Sequence, residues 1–377
     1  MGEVLVVGAG PVGLTMAAEL ARHGRRCRII DRLDRPSGYC KAIGVTPRTL
    51  EVWEDMGVAR PMIDAGLWIS GLRTIIAGGA PRDVFPDLSD LPYGQLGIPQ
   101  FATERILGEH LARLGIVVER GVALEDLRDD GSRVTADLRH EDGRGESAAF
   151  RFVVGCDGAH SAVRRSLGIG FQGDSFPMDF MLGDVAIDWD APRGLAVFAV
   201  EPRENAAPDF LVAIPLPDRN RYRVSMLAGD ELAPPSSQTE AHGISSERPG
   251  PSLDQLQAVS DRLLPGKPWL SDLRWSSLFR ISMRLADRYR VGNAFIVGDA
   301  AHIHPPTGGQ GMNTGIQDAY NLAWKMALVL KGAASGRLLD SYEGERRAVG
   351  AEVVARTAAA SLSFGRERSQ PDRLENT

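Results

Sequence analysis

The sequence predicts an α/β protein with a Rossmann-like dinucleotide-binding domain and a discontinuous second domain built on an antiparallel sheet. Two observations carry this prediction. The apolar residues 4–7 run into a glycine-rich turn at 8–13 and then into a helix, the order found in dinucleotide-binding units. Between residues 181 and 227, short apolar runs separated by Pro, Asn and Asp indicate successive antiparallel strands.

Composition excludes several classes of protein. The 377 residues carry a net charge of -6 and no long Lys/Arg run, which argues against nucleic acid as a partner. No apolar run approaches the ~18 residues needed to span a bilayer, and no basic segment precedes the apolar residues 4–7. The three cysteines are widely spaced, so we expect neither a disulfide framework nor a metal site. We expect a cytoplasmic protein that contacts no membrane.

The turn at residues 8–13 has the spacing G-x-G-x-x-G. Its glycines allow a pyrophosphate to approach the N-terminus of the following helix, and Asp31 ends the next predicted strand, where a carboxylate can accept ribose hydroxyls. No second such motif follows a later strand, which favours one tightly held FAD and a transient NADPH or NADH. The residues expected at the nucleotide half of the cofactor are Gly8, Gly10, Pro11, Val12, Gly13, Asp31 and Arg32.

A second glycine-rich joint lies at residues 294–325. Apolar residues 294–297 predict a buried strand that ends at Gly298 and Asp299, and Gly308, Gly309 and Gly311 precede a helix. Ligands bind at such strand ends in open α/β sheets, because glycines let the backbone approach a flat or anionic group. An ordinary strand–turn–helix joint is the alternative. A third strand end, after residues 150–155, carries Asp157, Gly158 and Arg164 in the same arrangement.

The remaining elements follow from periodicity and turn residues. We predict helices at 14–23, from 47, after Gln100, at 252–264, from 311 and at 338–362. We predict strands at 25–30, 72–77, 117–119, 121–129, 134–139, 181–188, 195–201, 210–214 and 222–227, with one or two more in 272–285. Residues 81–99 are expected to connect elements, 229–251 to form a mobile lid, and 365–377 to be a disordered polar tail.

The sequence resembles the single-component flavoprotein aromatic monooxygenases typified by para-hydroxybenzoate hydroxylase, in the branch that acts on phenols and aromatic polyketides. Its three motifs occur in that family's order, and the run P-P-T-G-G-Q-G-M-N at 305–313 matches as well. The resemblance covers nearly the whole chain and is weakest at 174–271. It implies an FAD-binding domain at 1–72, 96–171 and 281–335, a substrate domain at 73–95 and 172–280, and a C-terminal helix at 336–364 followed by the tail 365–377.

The resemblance also implies residue roles. Asp299 would contact the ribityl chain, and Pro306 would face substrate and isoalloxazine. The backbone at Gly311, Met312 and Asn313 would meet the pyrimidine edge of the flavin, where the helix N-terminus stabilises the negative charge of the reduced ring. Further cofactor contacts would come from Lys41, Gln100, Asp157, Gly158, Arg164, Gly298 and Gly309. Lys41 departs from the usual Arg, and the chain ends before the thioredoxin-like domain that many relatives carry, so we expect that domain, and an oligomer contact it would provide, to be missing.

The expected activity is hydroxylation of a phenolic or polyketide aromatic with NAD(P)H and O2 through a flavin C4a-hydroperoxide, in a monomer or homodimer. A dry pocket would be walled by Phe198, Phe210, Val212, Tyr222 and Pro305, although each could equally be sheet core. Tyr222, His302 and His304 are candidate general bases for which we favour structural roles. A Baeyer–Villiger or epoxidising monooxygenase stays open, as does a non-catalytic FAD-binding protein; a flavin-dependent halogenase is disfavoured, because no W-x-W-x-I-P motif occurs.

Overall fold

The computed structural model describes residues 2–36, 42–203, 208–229, 232, 243–244, 249–305 and 309–363, with backbone alone at 176–178, 243–244 and 360–363. Two large sheets and eight helices in this part of the chain confirm the predicted α/β class. In order, the helices α1 to α8 are Pro11–Arg22, Pro47–Asp55, Ala59–Ala65, Gln100–Arg113, Ala162–Ser166, Leu253–Leu263, Gln310–Leu330 and Asp340–Ser363. None of these helices is both long and apolar enough to cross a membrane.

The first sheet contains the predicted nucleotide-binding strands. Its order is Arg290–Val291, Ala294–Ile296, Gly145–Gly155, Gly2–Val7, Cys27–Asp31 and Val118–Arg120. Val134–His140 pairs antiparallel with Gly145–Gly155, and Val122–Asp129 pairs antiparallel with Val134–His140. Neighbours from Ala294–Ile296 to Val118–Arg120 run parallel, so their C-terminal ends share one edge. Val4, Leu5 and Val6 are fully buried because α1, α4 and α7 help cover the sheet.

The second sheet has nine strands and is almost wholly antiparallel, as the turn pattern predicts. Its order is Gly243–Ile244, Trp269–Ala286, Phe171–Asp188, Arg221–Leu227, Asp209–Pro215, Leu195–Glu201, Gly71–Ile76 and Arg82–Val84, with His302–Ile303 beside Trp269–Ala286. Only the pair Leu195–Glu201 and Gly71–Ile76 is parallel among these described strands. One face packs on α6, whose capping box between Ser252 and Gln255 fixes where the helix begins.

Several elements differ from their predictions. The expected connection at 81–99 contains Arg82–Val84 and also Gln95–Gly97, which joins Gly44–Val45 and Leu67–Ile69 in a third sheet. The region 272–285 is part of one 18-residue strand, Trp269–Ala286. The tail 365–377 and most of the expected lid 229–251 lie outside the described residues. The division of the chain into domains stays a prediction.

Candidate active site

In the turn at 8–13, glycine is sterically required at two positions, and the third glycine has free space around it. A Cβ on Gly8 would stand 2.4 Å from the carbonyl oxygen of Cys156, and one on Gly13 would stand 1.9 Å from the carbonyl oxygen of Gly8. Gly8 also has φ +99°, which side chains avoid. A Cβ on Gly10 would meet nothing within 4 Å. Gly10 therefore borders free space at the start of α1.

The N-terminus of α1 is suited to an anion. Gly10 is its N-cap and supplies no side-chain hydrogen bond, Pro11 has no N–H, and the first turn carries no acidic residue. The N–H groups of Val12 and Gly13 have no acceptor within the helix, so they and the helix dipole are available to a pyrophosphate. The side chain of Val12 points elsewhere: it packs so closely on α7 that a Cβ on Gly315 would lie 2.7 Å from Val12 Cγ2.

Asp31 lies at the end of its strand, as predicted, and braces the glycine turn. Its Oδ2 accepts a 2.7 Å hydrogen bond from the N–H of Ala9, and its Oδ1 accepts one of 2.9 Å from the N–H of Leu33. A carboxylate oxygen accepts more than one hydrogen bond, so the half-buried group can also receive ribose hydroxyls. Arg32 is exposed beside it.

The Asp157–Gly158–Arg164 segment is mainly an internal brace. Asp157 Oδ2 accepts hydrogen bonds of 2.6 and 3.2 Å from the first N–H groups of α5, and burial raises the pKa of Asp157. Arg164 is 7% exposed, stacks on Phe171 at 3.8 Å and donates to the carbonyl oxygens of Ala159 and Ala300. The Arg164 guanidinium therefore holds main-chain carbonyls inside the protein, and its contact with the cofactor stays a prediction.

Asp299 has the position and freedom expected of a ribityl-binding carboxylate. Gly298 adopts φ +63° after the strand Ala294–Ile296 and starts a short 3-10 turn that ends at Ala300. Asp299 is exposed in this turn, and its side chain has no hydrogen bond or ion pair with any residue in the described ranges. A carboxylate held at a parallel strand end with its lone pairs unused can accept hydroxyl groups of a ligand.

The N-terminus of α7 is a second open helix end. Gly309 is its N-cap at φ +63°, without a side-chain cap, and the first turn contains no acidic residue. The N–H groups of Gly311 and Met312 have no acceptor within the helix. The fully buried side chain of Asn313 accepts from the N–H of Thr46 at 3.0 Å and donates to the carbonyl oxygen of Gly44 at 2.9 Å. The sequence analysis assigned a role only to the backbone of Asn313 and missed these side-chain hydrogen bonds. An Asn side chain in the first turn of a helix with an apolar face could have signalled them.

Lys41 and Pro306 lie outside the described residues, and their roles stay predictions. Gln100 contacts Ala42, the residue after Lys41 in the sequence. Its Oε1 accepts a 3.1 Å hydrogen bond from the N–H of Ala42, and its Nε2 donates to Glu104 at 2.8 Å. Gln100 therefore fixes the main chain next to Lys41.

The predicted substrate wall divides between two faces of the second sheet. Phe198, Phe210 and Val212 are half-buried and share one face, with the rings of Phe198 and Phe210 6.3 Å apart. Ile214 continues this face and packs on Ile43. Ile43 precedes Gly44, the residue bound by Asn313, so this apolar face adjoins the start of α7. Pro305 is buried, and its carbonyl oxygen accepts from His304.

The placement of Tyr222 in this wall is wrong. Tyr222 pairs across the sheet with Pro215, whose side chain lies on the same face as Leu211 and Ala213 because side chains alternate along a strand. That face packs on α6, and Tyr222 is only 5% exposed, with its ring edge-on to Trp189 at 5.0 Å. Tyr222 is thus a core residue and is not placed to act as a base.

His302 and His304 also lie in the interior. His302 Nε2 hydrogen-bonds Asp318 at 2.7 Å, and His304 Nδ1 donates to the carbonyl oxygen of Pro305 at 2.9 Å. Burial lowers the pKa of His304. These contacts favour the structural roles that we expected for both. In the described ranges, no three His, Cys, Asp or Glu side chains group in a way that could hold a metal ion.

The residues present fit an FAD molecule at this edge of the parallel sheet. Gly10 borders open space at one uncapped helix, Asp299 offers an unused carboxylate, and Gly311 lies in the first turn of a second uncapped helix. Asp31 and Gln100 position the segments between them. These groups match, in order, a pyrophosphate, a ribityl chain and an electron-rich ring edge.

Comparisons with known proteins agree with this arrangement. Residues 1–357 match the family described as FAD binding domain. The chain is 37% identical over 364 residues to 6-methylpretetramide 4-monooxygenase of Streptomyces rimosus, covering 95% of this chain and 61% of that protein. It is 34% identical over 382 residues to pentachlorophenol 4-monooxygenase of Sphingobium chlorophenolicum, covering 99% of this chain and 67% of that protein.

A solved structure shows the same fold. The crystal structure of p-nitrophenol 4-monooxygenase from Pseudomonas putida superposes with a TM-score of 0.82 at 25% identity, covering 98% of this chain and 90% of that one. The chain thus spans about three fifths to nine tenths of the proteins it matches, depending on the relative. With the family match extending over residues 1–357, the chain belongs to the FAD binding domain family of flavoproteins.

Proposed function

We propose that the protein is an FAD-dependent monooxygenase that hydroxylates a phenolic or polyketide aromatic compound with NAD(P)H and O2. One observation carries the proposal: a glycine turn with open space at Gly10, an unpaired carboxylate at Asp299 and the uncapped α7 N-terminus at Gly311 all belong to one sheet edge. Each serves a different part of FAD. A protein that bound only the nucleotide part of such a cofactor would have no use for the uncapped N-terminus of α7.

Bound FAD supplies the redox chemistry and the activation of O2, while the protein binds, orients and excludes water. The N–H groups of Gly311 and Met312 and the positive end of the α7 dipole stabilise negative charge at the pyrimidine edge of the ring. Asn313 keeps that helix end against the Gly44–Val45 strand, so these donors are fixed before any ligand arrives. No acidic side chain in the first turn opposes that charge.

The substrate class follows from the apolar wall and from the relatives. Phe198, Phe210 and Val212 offer an aromatic and aliphatic surface beside the start of α7. Two relatives are named as monooxygenases of pentachlorophenol and p-nitrophenol, and a third acts on 6-methylpretetramide. We therefore assign a phenolic ring to this wall. A cytoplasmic monomer or homodimer using NADPH or NADH completes the proposal.

The test is a substrate panel. The purified protein, reconstituted with FAD, is mixed with NADPH or NADH and with phenols, naphthols and polyketide quinones. Faster NAD(P)H oxidation with one compound, together with a product heavier by one oxygen atom, is the expected result. An ester or epoxide product would assign a different oxygenation on the same scaffold. FAD binding without stimulation by any compound, and without product, would overturn the proposal in favour of a non-catalytic flavoprotein.

A further inference from the structure

Asp318 is a buried carboxylate that joins four elements of the protein. It lies on α7 and is 0% exposed. Its Oδ1 accepts a 2.6 Å hydrogen bond from Arg346 Nε on α8. Its Oδ2 accepts from His302 Nε2 at 2.7 Å and from the N–H of Gly298 at 3.3 Å. One side chain therefore connects α7, α8, the strand His302–Ile303 and the turn that carries Asp299.

Two of these contacts reach segments that adjoin residues expected at the flavin. Gly298 directly precedes Asp299, so its N–H contact holds the carboxylate's turn against α7. His302 precedes His304 and Pro305 in the segment that leads to the glycine-rich loop. Because a carboxylate only accepts, His302 Nε2 carries the hydrogen, and the His302 ring is held in one tautomer. Of the groups that contact Asp318, Gly298 is itself an expected cofactor contact, whereas Asp318, His302 and Arg346 are not.

The ion pair with Arg346 balances the buried charge. Arg346 is 11% exposed at its side chain and also donates to the carbonyl oxygen of Thr314, one turn before Asp318 on α7, at 3.4 Å. Removing either partner leaves an uncompensated buried charge, which is far more costly than losing an exposed pair. The position of α7 relative to Gly298 therefore depends on a residue of the C-terminal helix.

A second pair of residues ties the same two helices and serves as an internal control. Lys325 on α7 is 1% exposed and donates to Glu345 on α8 at 2.7 Å; Asn321 donates to the same carboxylate at 2.7 Å. Lys325 lies seven residues beyond Asp318, about 10 Å further along the helix axis and away from its N-terminus. This pair joins α7 to α8 without reaching the turn at Gly298.

We propose that Asp318 and Arg346 are positioning residues for the cofactor, which set the separation between Asp299 and the first turn of α7. The inference rests on the FAD site described above. It assigns to α8 a part in FAD binding that the Lys325–Glu345 pair, although also between α7 and α8, does not share. The difference between the two pairs separates positioning of the flavin from simple attachment of the helix.

The experiment measures FAD binding and stability separately. Asp318→Asn, Arg346→Lys and Glu345→Gln are prepared as apoproteins, titrated with FAD by quenching of flavin fluorescence, and melted without FAD. We expect Asp318→Asn and Arg346→Lys to weaken FAD binding by about tenfold or more, by analogy with the loss of metal affinity when residues that orient metal ligands are removed. We also expect the visible absorption bands of bound FAD to shift. Glu345→Gln lowers the melting temperature but leaves the FAD affinity and spectrum unchanged.

Two results would overturn the proposal. One is an equal loss of FAD affinity in Glu345→Gln and Arg346→Lys, which would assign both pairs to helix attachment. The other is unchanged affinity and spectrum in Arg346→Lys, the milder variant, which decides the matter if Asp318→Asn does not fold. Neither readout depends on oxygenation, so a failed hydroxylation assay contradicts the proposed function and leaves this inference standing.

Discussion

Arg164 Nη1 donates a 2.9 Å hydrogen bond to the carbonyl oxygen of Ala300, across 136 residues of sequence. The bond ties the Asp157 segment to the turn that carries Asp299. Val12 of the first glycine motif is in contact with the same region, because it packs on both Gly298 and Gly315. Three motifs that are far apart in the chain are thus braced against one another.

Two glycines of the first motif should separate folding from FAD binding. Gly13→Ala places a Cβ 1.9 Å from the carbonyl oxygen of Gly8, so we expect a marked loss of stability even without cofactor. Gly10→Ala meets no protein atom within 4 Å, so the melting temperature of the apoprotein should hold while FAD affinity falls by about tenfold. Thermal melts and FAD titrations check both. Full FAD affinity in Gly10→Ala would mean that the pyrophosphate lies elsewhere.

Asp299 should matter to the cofactor and hardly to the fold. Its carboxylate is exposed and has no partner among the described residues. Asp299→Asn keeps the shape but removes a charged acceptor, a hydrogen bond of ~1.5–3 kcal/mol, which corresponds to roughly 10- to 100-fold weaker FAD binding. Isothermal titration with FAD measures this. A large drop in apoprotein stability with unchanged affinity would contradict the assignment.

The two faces of the second sheet make opposite predictions for two aromatic residues. Tyr222→Ala empties a core position packed on Trp189 and should cost about 3 to 5 kcal/mol in unfolding free energy. Phe210→Ala alters the half-buried face, so we expect a smaller stability loss together with a raised KM for the aromatic substrate. Urea unfolding and steady-state kinetics distinguish them. If Tyr222→Ala instead raised the KM without destabilising the protein, Tyr222 would belong to the substrate wall.

His304 should make stability depend on pH. Burial lowers its pKa in the folded protein below the ordinary value of about 6.5, so the unfolded state takes up a proton first as pH falls. The contribution of neutral His304 to stability is therefore complete above about pH 6.5 and is lost as pH falls from there toward the folded pKa. His304→Gln should flatten this part of the profile in urea unfolding at pH 7.5 and 5.5. The same change in unfolding free energy between these two pH values in the variant and in the wild type would contradict the assignment.

Local sequence was sufficient for the motifs and for most of the longer elements, but not for short strands such as Gln95–Gly97. The position of Asp31 after its strand and the glycine N-cap of α7 follow from turn chemistry and apolar periodicity, which act over a few residues. The register between strands is different, because it is set by pairing partners far away in sequence. Tyr222 was assigned to the wrong face since nothing near it in the chain reveals that it pairs with Pro215.

Long-range polar contacts were likewise beyond local sequence. The sequence predicts a cofactor contact for Arg164, and only the fold shows that the carbonyl oxygen of Ala300 lies within its reach. Asp318 was not singled out from the sequence, yet it is buried between His302 and Arg346. Partners 16 and 28 residues away from it decide its role, and no periodic pattern encodes them.

The most direct test of the central claim uses isotopic oxygen. The FAD-loaded protein is incubated with NAD(P)H, the aromatic compound that most stimulates NAD(P)H oxidation, and ¹⁸O₂. We predict a hydroxylated product that carries one ¹⁸O atom, with none gained when ¹⁸O-labelled water and unlabelled O2 are used instead. A product labelled from water, or NAD(P)H oxidation that yields only hydrogen peroxide with every compound tested, would contradict the claim that this flavoprotein is a monooxygenase.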